Sequence, residues 1–407
     1  MLTKVIGQKT IRIYFWNGFV MNNFIYTWQS VLTDHQAFTY EALGKQARAE
    51  VVPYVVTMED EMRKIQGWQD SLVLSMKRRL IPGKNFFGFC FSVLRARRNS
   101  VHIFAAPFSD IRFIPCMLFA SWLGIEYYIV SEPYSQRPDG YLRETSLLLG
   151  YMKASIRPWL YKLYGLLLRS SVAGIFTISQ RSYIQFQAAG FPIDKLFRFG
   201  YFVPPQLNDD EVSQDVIKYP IDPVIKIIYV GSLIKTKGFD LLSDVGEILW
   251  AKGSKISIDI YGPGNAGELS FFSKNVFYRG VIPFGQAQSV MRRYDLALVP
   301  SRYDGWGVVV NEAILAGVPV ICSDEVGAGA LIDKFYCGIK FKSEGIYELA
   351  DKLMQLEKDP SALKVLREHT VKAMEFIEPK IAATYMLRVI QAPFLEKVSI
   401  PSPWYGL

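Results

Sequence analysis

Histidine and cysteine are scarce in this 407-residue chain. There are three histidines (His35, His102, His369) and four cysteines (Cys90, Cys116, Cys322, Cys337). The cysteines lie far apart, with no CxxC pair and no Cys/His spacing of a zinc site, so they read as buried thiols of a reducing compartment. With so few imidazoles there is little material for a histidine-based metal centre, and none is expected. Long apolar runs are also missing. The longest, Phe113 to Val130, is broken by Gly124 and Glu126, which suits a core helix followed by a buried strand better than a membrane span. The first residues, MLTKVIGQKTIRIYFWNGF, hold no apolar stretch ahead of a small-residue cleavage site; no signal peptide is expected, and the reading is cytoplasmic. No nucleic-acid-binding motif is present, so no nucleic-acid partner is expected.

What is present is a globular composition, 50% hydrophobic and 21% charged, in a chain too long for one ordinary core; two domains are expected. The net charge of +8 is unevenly placed. Residues 1–203 hold 24 Lys/Arg against 13 Asp/Glu, a balance of +11, and the remainder holds 22 against 25, a balance of −3. Such asymmetry suggests that the first half faces something anionic.

Along the chain, strand and helix patterns alternate. A first strand is expected at Thr10–Trp16, ending at Asn17-Gly18, and a second at Glu50–Thr57, where Pro53 implies an edge or irregular position. Residues 59–98 are polar and basic. Strands are expected at 100–105, 125–131, 174–179 and 196–202, with helices at 113–123 and 180–189. The fourth of these six strands empties into Glu132-Pro133-Tyr134, a loop at the end where open α/β sheets hold ligands. Between 147 and 172 runs a helix in which Lys153, Arg157, Lys162 and Arg169 alternate with Trp159, Tyr161, Tyr164 and leucines; Pro158 should kink it or start a new helix. A basic, aromatic, amphipathic helix can lie on an anionic membrane surface, although a core helix with a solvated basic face has the same pattern. Val203–Tyr219 is polar, with Pro204-Pro205 and an acidic run, and reads as a linker. The alternation then restarts, with strands at 224–230, 255–261, 276–280 and 296–300. Helices are expected at 239–250, 286–294, 347–356 and 361–377, and a last one at 381–391, trailed by a proline-rich tail. Two successive βαβ arrays imply an α/β protein of two doubly wound, Rossmann-like domains facing a central cleft: 1–203 and 204–380.

The chemistry concentrates in VPSRYDGWGVVVNEAILAGVPVICSD, Val299 to Asp324. Asp304 and Glu312 have seven residues between them, separated by a Gly-Trp-Gly turn that opens a helix. An ordinary strand–loop–helix–strand unit with two surface acids would look alike. Taken with the residues upstream, the stretch fits a nucleotide-sugar site. A diphosphate needs N–H groups and cations. Gly231 lets the backbone approach it, the helix after Gly238 turns its positive end toward the loop, and Lys237 supplies a mobile cation. Gly305, Trp306, Gly307 and Val308 offer further N–H groups. Asp304 can accept from a hexose, Glu312 can take both ribose hydroxyls, and the base would lie against Arg279 to Pro283, at Val281. Gly262-Pro263-Gly264 lacks the glycine spacing and following acid of an NAD site.

The segments GSLIKTKGFDLL (231–242), NVFYRGVIP (275–283) and PSRYDGWGVVVNEAILAGVPVICSD together resemble the C-terminal half of the retaining glycosyltransferases of family 4, the group 1 glycosyl transferases with the GT-B fold. The likeness is strong over residues 224–330 and looser over the first half. It implies a donor held by the C-terminal domain, a glycan or lipid-linked acceptor held by the N-terminal one, no obligatory metal, no cofactor beyond the nucleotide-sugar co-substrate, and a last helix that crosses back to the first domain. The catalytic set it implies is Asp304, Lys237 and Glu132; donor contacts fall on Gly18, Gly231, Ser232, Lys237, Val281, Asp304 to Val308 and Glu312. The function implied is hexosyl transfer in cell-surface polysaccharide or glycolipid synthesis; the basic first half and the basic aromatic helix at 147–172 add the expectation of an enzyme peripheral to a membrane.

Two departures stand out. The family's first acid is usually Glu, where this chain has Asp304. The arginine usual after the phosphate-loop glycine is Ser232 here, which removes a bidentate cation; Lys235 is a candidate to replace it in part. Asn17-Gly18 stands where the family often has Gly-Gly, and Ser131-Glu132 stands near its usual histidine loop. A GT-B pseudoenzyme with a weakened donor site, or a GT-B epimerase or phosphorylase, are the competing readings.

Overall fold

The computed structural model describes residues 23–59, 73, 75–106, 109–136, 147–206, 224–264, 273–283 and 285–406. The expected strand at Thr10–Trp16, its Asn17-Gly18 turn and most of the expected linker lie outside these residues.

The first sheet is formed by β1 (Phe24–Gln29), β2 (Glu50–Val55), β3 (Arg79–Leu80), β4 (Val101–Ala105), β5 (Tyr127–Ser131), β6 (Gly174–Ile178) and β7 (Leu196–Phe199), all parallel, in the order β3-β2-β1-β4-β5-β6-β7. Its helices are α1 (Asp34–Ala47), α2 (Phe86–Ala96), α3 (Phe113–Trp122), α4 (Leu147–Leu168) and α5 (Ser179–Ala188). The second sheet holds β8 (Lys226–Val230), β9 (Ser257–Tyr261), β10 (Val276–Gly280), β11 (Leu296–Val299), β12 (Val320–Ser323) and β13 (Gly338–Phe341), also parallel, in the order β10-β9-β8-β11-β12-β13. It carries α6 (Leu241–Ala251), α7 (Ala287–Met291), α8 (Val308–Leu315), α9 (Gly329–Phe335), α10 (Ile346–Lys358) and α11 (Pro360–Ala373); α12 (Pro379–Gln391) and α13 (Phe394–Lys397) follow.

One expectation is corrected at β1. The sequence pattern marks no strand between 17 and 49, yet residues 24–29 form the strand on which the first sheet turns. FIYTWQ is buried along nearly its whole length. Strands flank it on both sides, so it shows no alternation of polar and apolar residues for a sequence reading to detect. Pro53 behaves as expected for a residue without an N–H. The outer neighbour β3 pairs only with Tyr54 and Val55, which leaves the outer edge of β2 open at Pro53. Helix α4 runs unbroken through Pro158. In each sheet the strand order reverses once, between β1 and β4 and between β8 and β11. Such switch points open a crevice at the carboxyl ends of the strands, and here the two crevices face each other.

The chain crosses back at its end. Helix α12 lies on α1, where the Gln46 side chain donates to the Lys380 carbonyl at 2.8 Å and accepts from the Thr384 hydroxyl at 2.9 Å. The proline-rich tail is packed. Lys397 is buried, with its ammonium 2.9 Å from Glu126 Oε1 and 2.6 Å from the Tyr128 hydroxyl. Trp404 is fully buried, stacked on Phe202 at 4.3 Å, and donates from its indole to the Phe376 carbonyl at 2.7 Å. A tryptophan that satisfies its one donor while burying its rings makes a strong anchor. All four cysteines are buried free thiols.

Candidate active site

The cleft between the sheets encloses about 860 Å³. Its walls come from the residues that follow β1, β4 and β5 on one side and β8 and β11 on the other.

On the C-terminal side, β8 ends in Gly231-Ser232. The Gly231 N–H donates to the Tyr261 carbonyl at 3.0 Å, and Leu233 N–H to the Pro263 carbonyl at 2.9 Å, so the 262–264 turn lies directly against this loop. The contact demands glycine at 262, since a Cβ there would stand 1.8 Å from the Gly231 oxygen. Gly262-Pro263-Gly264 therefore buttresses the Gly231-Ser232 loop. A 3₁₀ turn, Lys235–Lys237, follows and closes on Gly238 at φ +72°. A Cβ at Gly238 would stand 2.0 Å from the Pro300 oxygen. Both the backbone angle and the close approach require glycine.

Arg302 ties this turn to the next loop. Its guanidinium takes Asp240 in a bidentate grip at 2.7 and 3.0 Å, Glu344 at 2.8 Å and the Lys235 carbonyl at 2.6 Å. These acids raise its already high pKa further, against the opposing effect of burial. With the two loops clamped together, Lys237 Nζ meets Asp304 Oδ2 at 2.6 Å.

Past Asp304 the backbone turns through Gly305, Trp306 and Gly307 into α8. Gly307 is its N-cap at φ +92°. Trp306 gives the cleft no free ring. Its indole donates to Asn311 Oδ1 at 2.9 Å and packs so tightly on the interdomain strap that a Cβ at Gly200 would come within 2.4 Å of it. Glu312, one turn into α8, lines the cleft. Desolvation alone pushes its carboxyl up to about 7, as expected for an acid in an apolar wall without a partner.

From the N-terminal side, Glu132 reaches the same point. A Cβ at Gly305 would lie 3.0 Å from Glu132 Oε2. Glu132 accepts from the Tyr201 hydroxyl, whose pKa burial first and the adjacent carboxylate second hold well above its ordinary value. Gln36 Nε2 reaches that hydroxyl at 3.5 Å, and the His35 ring lies 4.6 Å from the Tyr201 ring. The domains also touch directly: Tyr303 donates to the Pro133 carbonyl at 2.6 Å, and Arg181 pairs with Glu325 at 2.6 Å.

The cleft thus collects Glu132, Gly231, Ser232, Lys237, Asp304, Trp306, Gly307, Val308 and Glu312, with Gly305 at its edge. Val281 is exposed and is not part of its lining, and Lys235 points to solvent. Gly18 lies outside the described residues. Among the described residues, no group of three potential metal ligands occurs. Reading the sequence missed Ser30, Val31, Thr33, His35 and Gln36 after β1, Tyr201 and Arg157, all of which line the cleft. The first group follows β1, a strand that the sequence pattern did not mark. Arg157 had a signal, a lone cation at helical spacing from Tyr161, but it was grouped with the surface charges of α4.

Comparison with known proteins agrees with this layout. The family model described as "Glycosyl transferases group 1" matches residues 212–373. A Staphylococcus aureus poly(ribitol-phosphate) alpha-N-acetylglucosaminyltransferase is 27% identical over 136 residues, covering 31% of this chain and 27% of that protein. A putative teichuronic acid biosynthesis glycosyltransferase of Bacillus subtilis, TuaC, is 28% identical over 153 residues, covering 37% and 38%. The chain therefore spans less than half the length of these two relatives. Among solved structures, Anabaena Alr3699/HepE in complex with UDP superposes with a TM-score of 0.65 at 13% identity, over 91% of this chain and 99% of that one. At that identity the likeness speaks for the fold, which is GT-B.

Proposed function

We propose that this chain, whose residues 212–373 match the model of the group 1 glycosyl transferases and whose two domains form a GT-B fold, moves a hexose with retention from a nucleotide diphosphate sugar to a hydroxyl of a glycan or lipid-linked acceptor. The product would belong to a cell-surface polysaccharide or glycolipid. The observation that carries this reading is the convergence of Lys237, Asp304, the N-terminus of α8 and Glu132 on one cleft, two of them joined at 2.6 Å.

In this reading the diphosphate lies between Gly231-Ser232 and the 305–308 turn, with Lys237 beside it. The bond from the anomeric carbon to the phosphate oxygen stretches and breaks. Lys237 and the turn N–H groups stabilise the charge left on the diphosphate, so no metal is required for that step. The acceptor oxygen bonds to the anomeric carbon from the face being vacated, and its proton passes to the departing phosphate oxygen. Asp304 holds the hexose, Glu312 the ribose, and Glu132 the acceptor side. The contact of Tyr303 with Pro133 keeps the domains together and limits water. UDP in one GT-B neighbour and the poly(ribitol-phosphate) and teichuronic acid named for the relatives support the donor and product classes.

A thermal-shift screen with UDP-, GDP- and ADP-sugars tests the donor. Proton NMR of the anomeric signal in the product of the matching donor tests retention. Stabilisation by none of these donors would leave the fold without this activity. Binding without turnover on any acceptor would assign a pseudoenzyme instead.

A further inference from the structure

Helix α4 has two apolar faces. The inner one, Ala154, Tyr161, Tyr164 and Leu168, is buried in the first domain, and Arg157 on the same side lines the cleft. The outer one, Met152, Ile156, Trp159, Leu163 and Leu166, recurs at spacings of four, three, four and three residues, and every member is exposed, Trp159 by 71%. Burial of the first face explains why the helix exists; nothing among the described residues covers the second.

The outer face does not stand alone. Helix α3 packs beside α4 on the same layer of the domain and adds Leu118 and Trp122, the latter 77% exposed. Monomeric soluble proteins rarely leave an apolar stripe of five large side chains open along one helix, and such a stripe marks an interaction site. The charges at its rim identify the occupant. From 147 to 169 the sequence holds four cations, Lys153, Arg157, Lys162 and Arg169, and no Asp or Glu. Lys162 and Arg169 are exposed, and the Lys162 ammonium lies 4.9 Å from the Trp159 ring. Lysines snorkelling beside exposed tryptophans on an apolar stripe match a lipid headgroup boundary. A second copy of the chain would set these cations against one another, with no acid on the helix to pair them. Among the described residues no helix is long and apolar enough to cross a membrane, so the face suits lying on a bilayer.

We propose that the outer face of α3 and α4 docks on an anionic lipid bilayer. Because Arg157 and Tyr161 of the same helix line the cleft, a docked molecule would turn the acceptor side of that cleft toward an acceptor anchored in the bilayer. This delivery rests on the transferase reading above; the docking does not.

The test is co-sedimentation of the full chain with phosphatidylcholine vesicles, with and without phosphatidylglycerol, at low and high salt. The protein should pellet with the anionic vesicles at low salt, and less so as salt rises. Trp159→Glu combined with Leu163→Glu should weaken that partitioning by about tenfold or more. Both side chains point outward, so circular dichroism and the thermal shift given by a nucleotide sugar should stay as in wild type. Absence of pelleting on anionic vesicles at low salt overturns the proposal, as does equal pelleting of the variant. A wild-type dimer in sedimentation velocity that the variant dissolves also overturns it, and gives the face to self-association. Vesicle binding without any nucleotide-sugar binding would overturn the transferase reading and leave this one standing.

Discussion

Lys237 Nζ and Asp304 Oδ2 stand 2.6 Å apart. The lysine that would meet a diphosphate is thus held by the acid that would meet the hexose. Arriving phosphate oxygens must share or displace that carboxylate, which couples recognition of the two ends of the donor. Lys237→Ala removes the cation and leaves Asp304 without its partner. It should lower kcat/KM by tenfold or more, with about 1.4 kcal/mol lost per decade, in a coupled nucleotide-release assay. Rates near wild type would detach Lys237 from the reaction.

Asp304 is one methylene shorter than the glutamate usual in the resembling family. Its position is fixed from both sides: its N–H donates to the Glu325 carbonyl at 3.1 Å, and its carbonyl accepts from Gly327 N–H at 3.1 Å. Lengthening the side chain pushes the carboxylate farther into the sugar pocket. Asp304→Glu should change the ranking of donor sugars in a competition assay while the diphosphate alone binds as before. An unchanged ranking would show that the acid's length does not tune the sugar.

Glu312 gives a pH signature. Its carboxyl is pushed up to about 7 by burial, above the value of an exposed glutamate. The folded chain therefore holds a proton that the unfolded chain has lost, and this group's stabilising contribution is present below the unfolded value and lost as pH rises through about 7. Apo stability should fall over that window, and Glu312→Gln should flatten the fall. Ribose hydroxyls that donate to Glu312 favour the ionised form, so donor binding should release a proton at about pH 6 and tighten toward about pH 8. Calorimetry in buffers of different ionisation enthalpy measures that proton. Its persistence in Glu312→Gln would assign it to another group.

Much of this was legible in the sequence. Four of the six strands of the second sheet, β8 to β11, could be read because each is short and closed by glycine or proline, at Gly231, Gly262, Gly280 and Pro300, and because Lys237, Asp304 and Glu312 fall in loops and a helix start whose residue types are set by backbone geometry. The first sheet was harder. β1 is buried along nearly its whole length and shows no period, so the sequence pattern did not mark it as a strand. Residues brought in by tertiary packing gave no local sign. Tyr201 lies in the strap between domains, and only the fold places its hydroxyl on Glu132. Trp306 was expected to offer only a backbone N–H, and its ring is taken up by Gly200 and Phe202, a contact that only the fold reveals.

That contact yields a prediction far from any ligand. A methyl at Gly200 would sit 2.4 Å from two carbons of the Trp306 ring, and the ring, held by Asn311 and Phe202, has no room to yield. Gly200→Ala should shift the 304–308 turn and weaken donor binding by about tenfold, the cost expected when a site is displaced by a fraction of an ångström. A donor titration followed by thermal shift reads it. Tight donor binding in a folded Gly200→Ala protein would mean that the turn is set by the C-terminal domain alone.

The two sides of the cleft should separate kinetically. Glu132 faces Gly305 but hangs from the first domain, held by Tyr201. If it serves the acceptor, Glu132→Gln should leave the donor-induced thermal shift intact and lower transfer to acceptor by roughly a hundredfold, within the usual range for a positioned acid–base or orienting group. Tyr201→Phe removes the hydrogen bond that aims the carboxylate but keeps the carboxylate itself. It should produce a smaller loss of the same kind, and the double variant should be little worse than Glu132→Gln, because the tyrosine acts through the glutamate. Additive losses would mean that Tyr201 contacts the acceptor in its own right. A lost donor shift in Glu132→Gln would move the residue to the donor side, where its approach to Gly305 already brings it close.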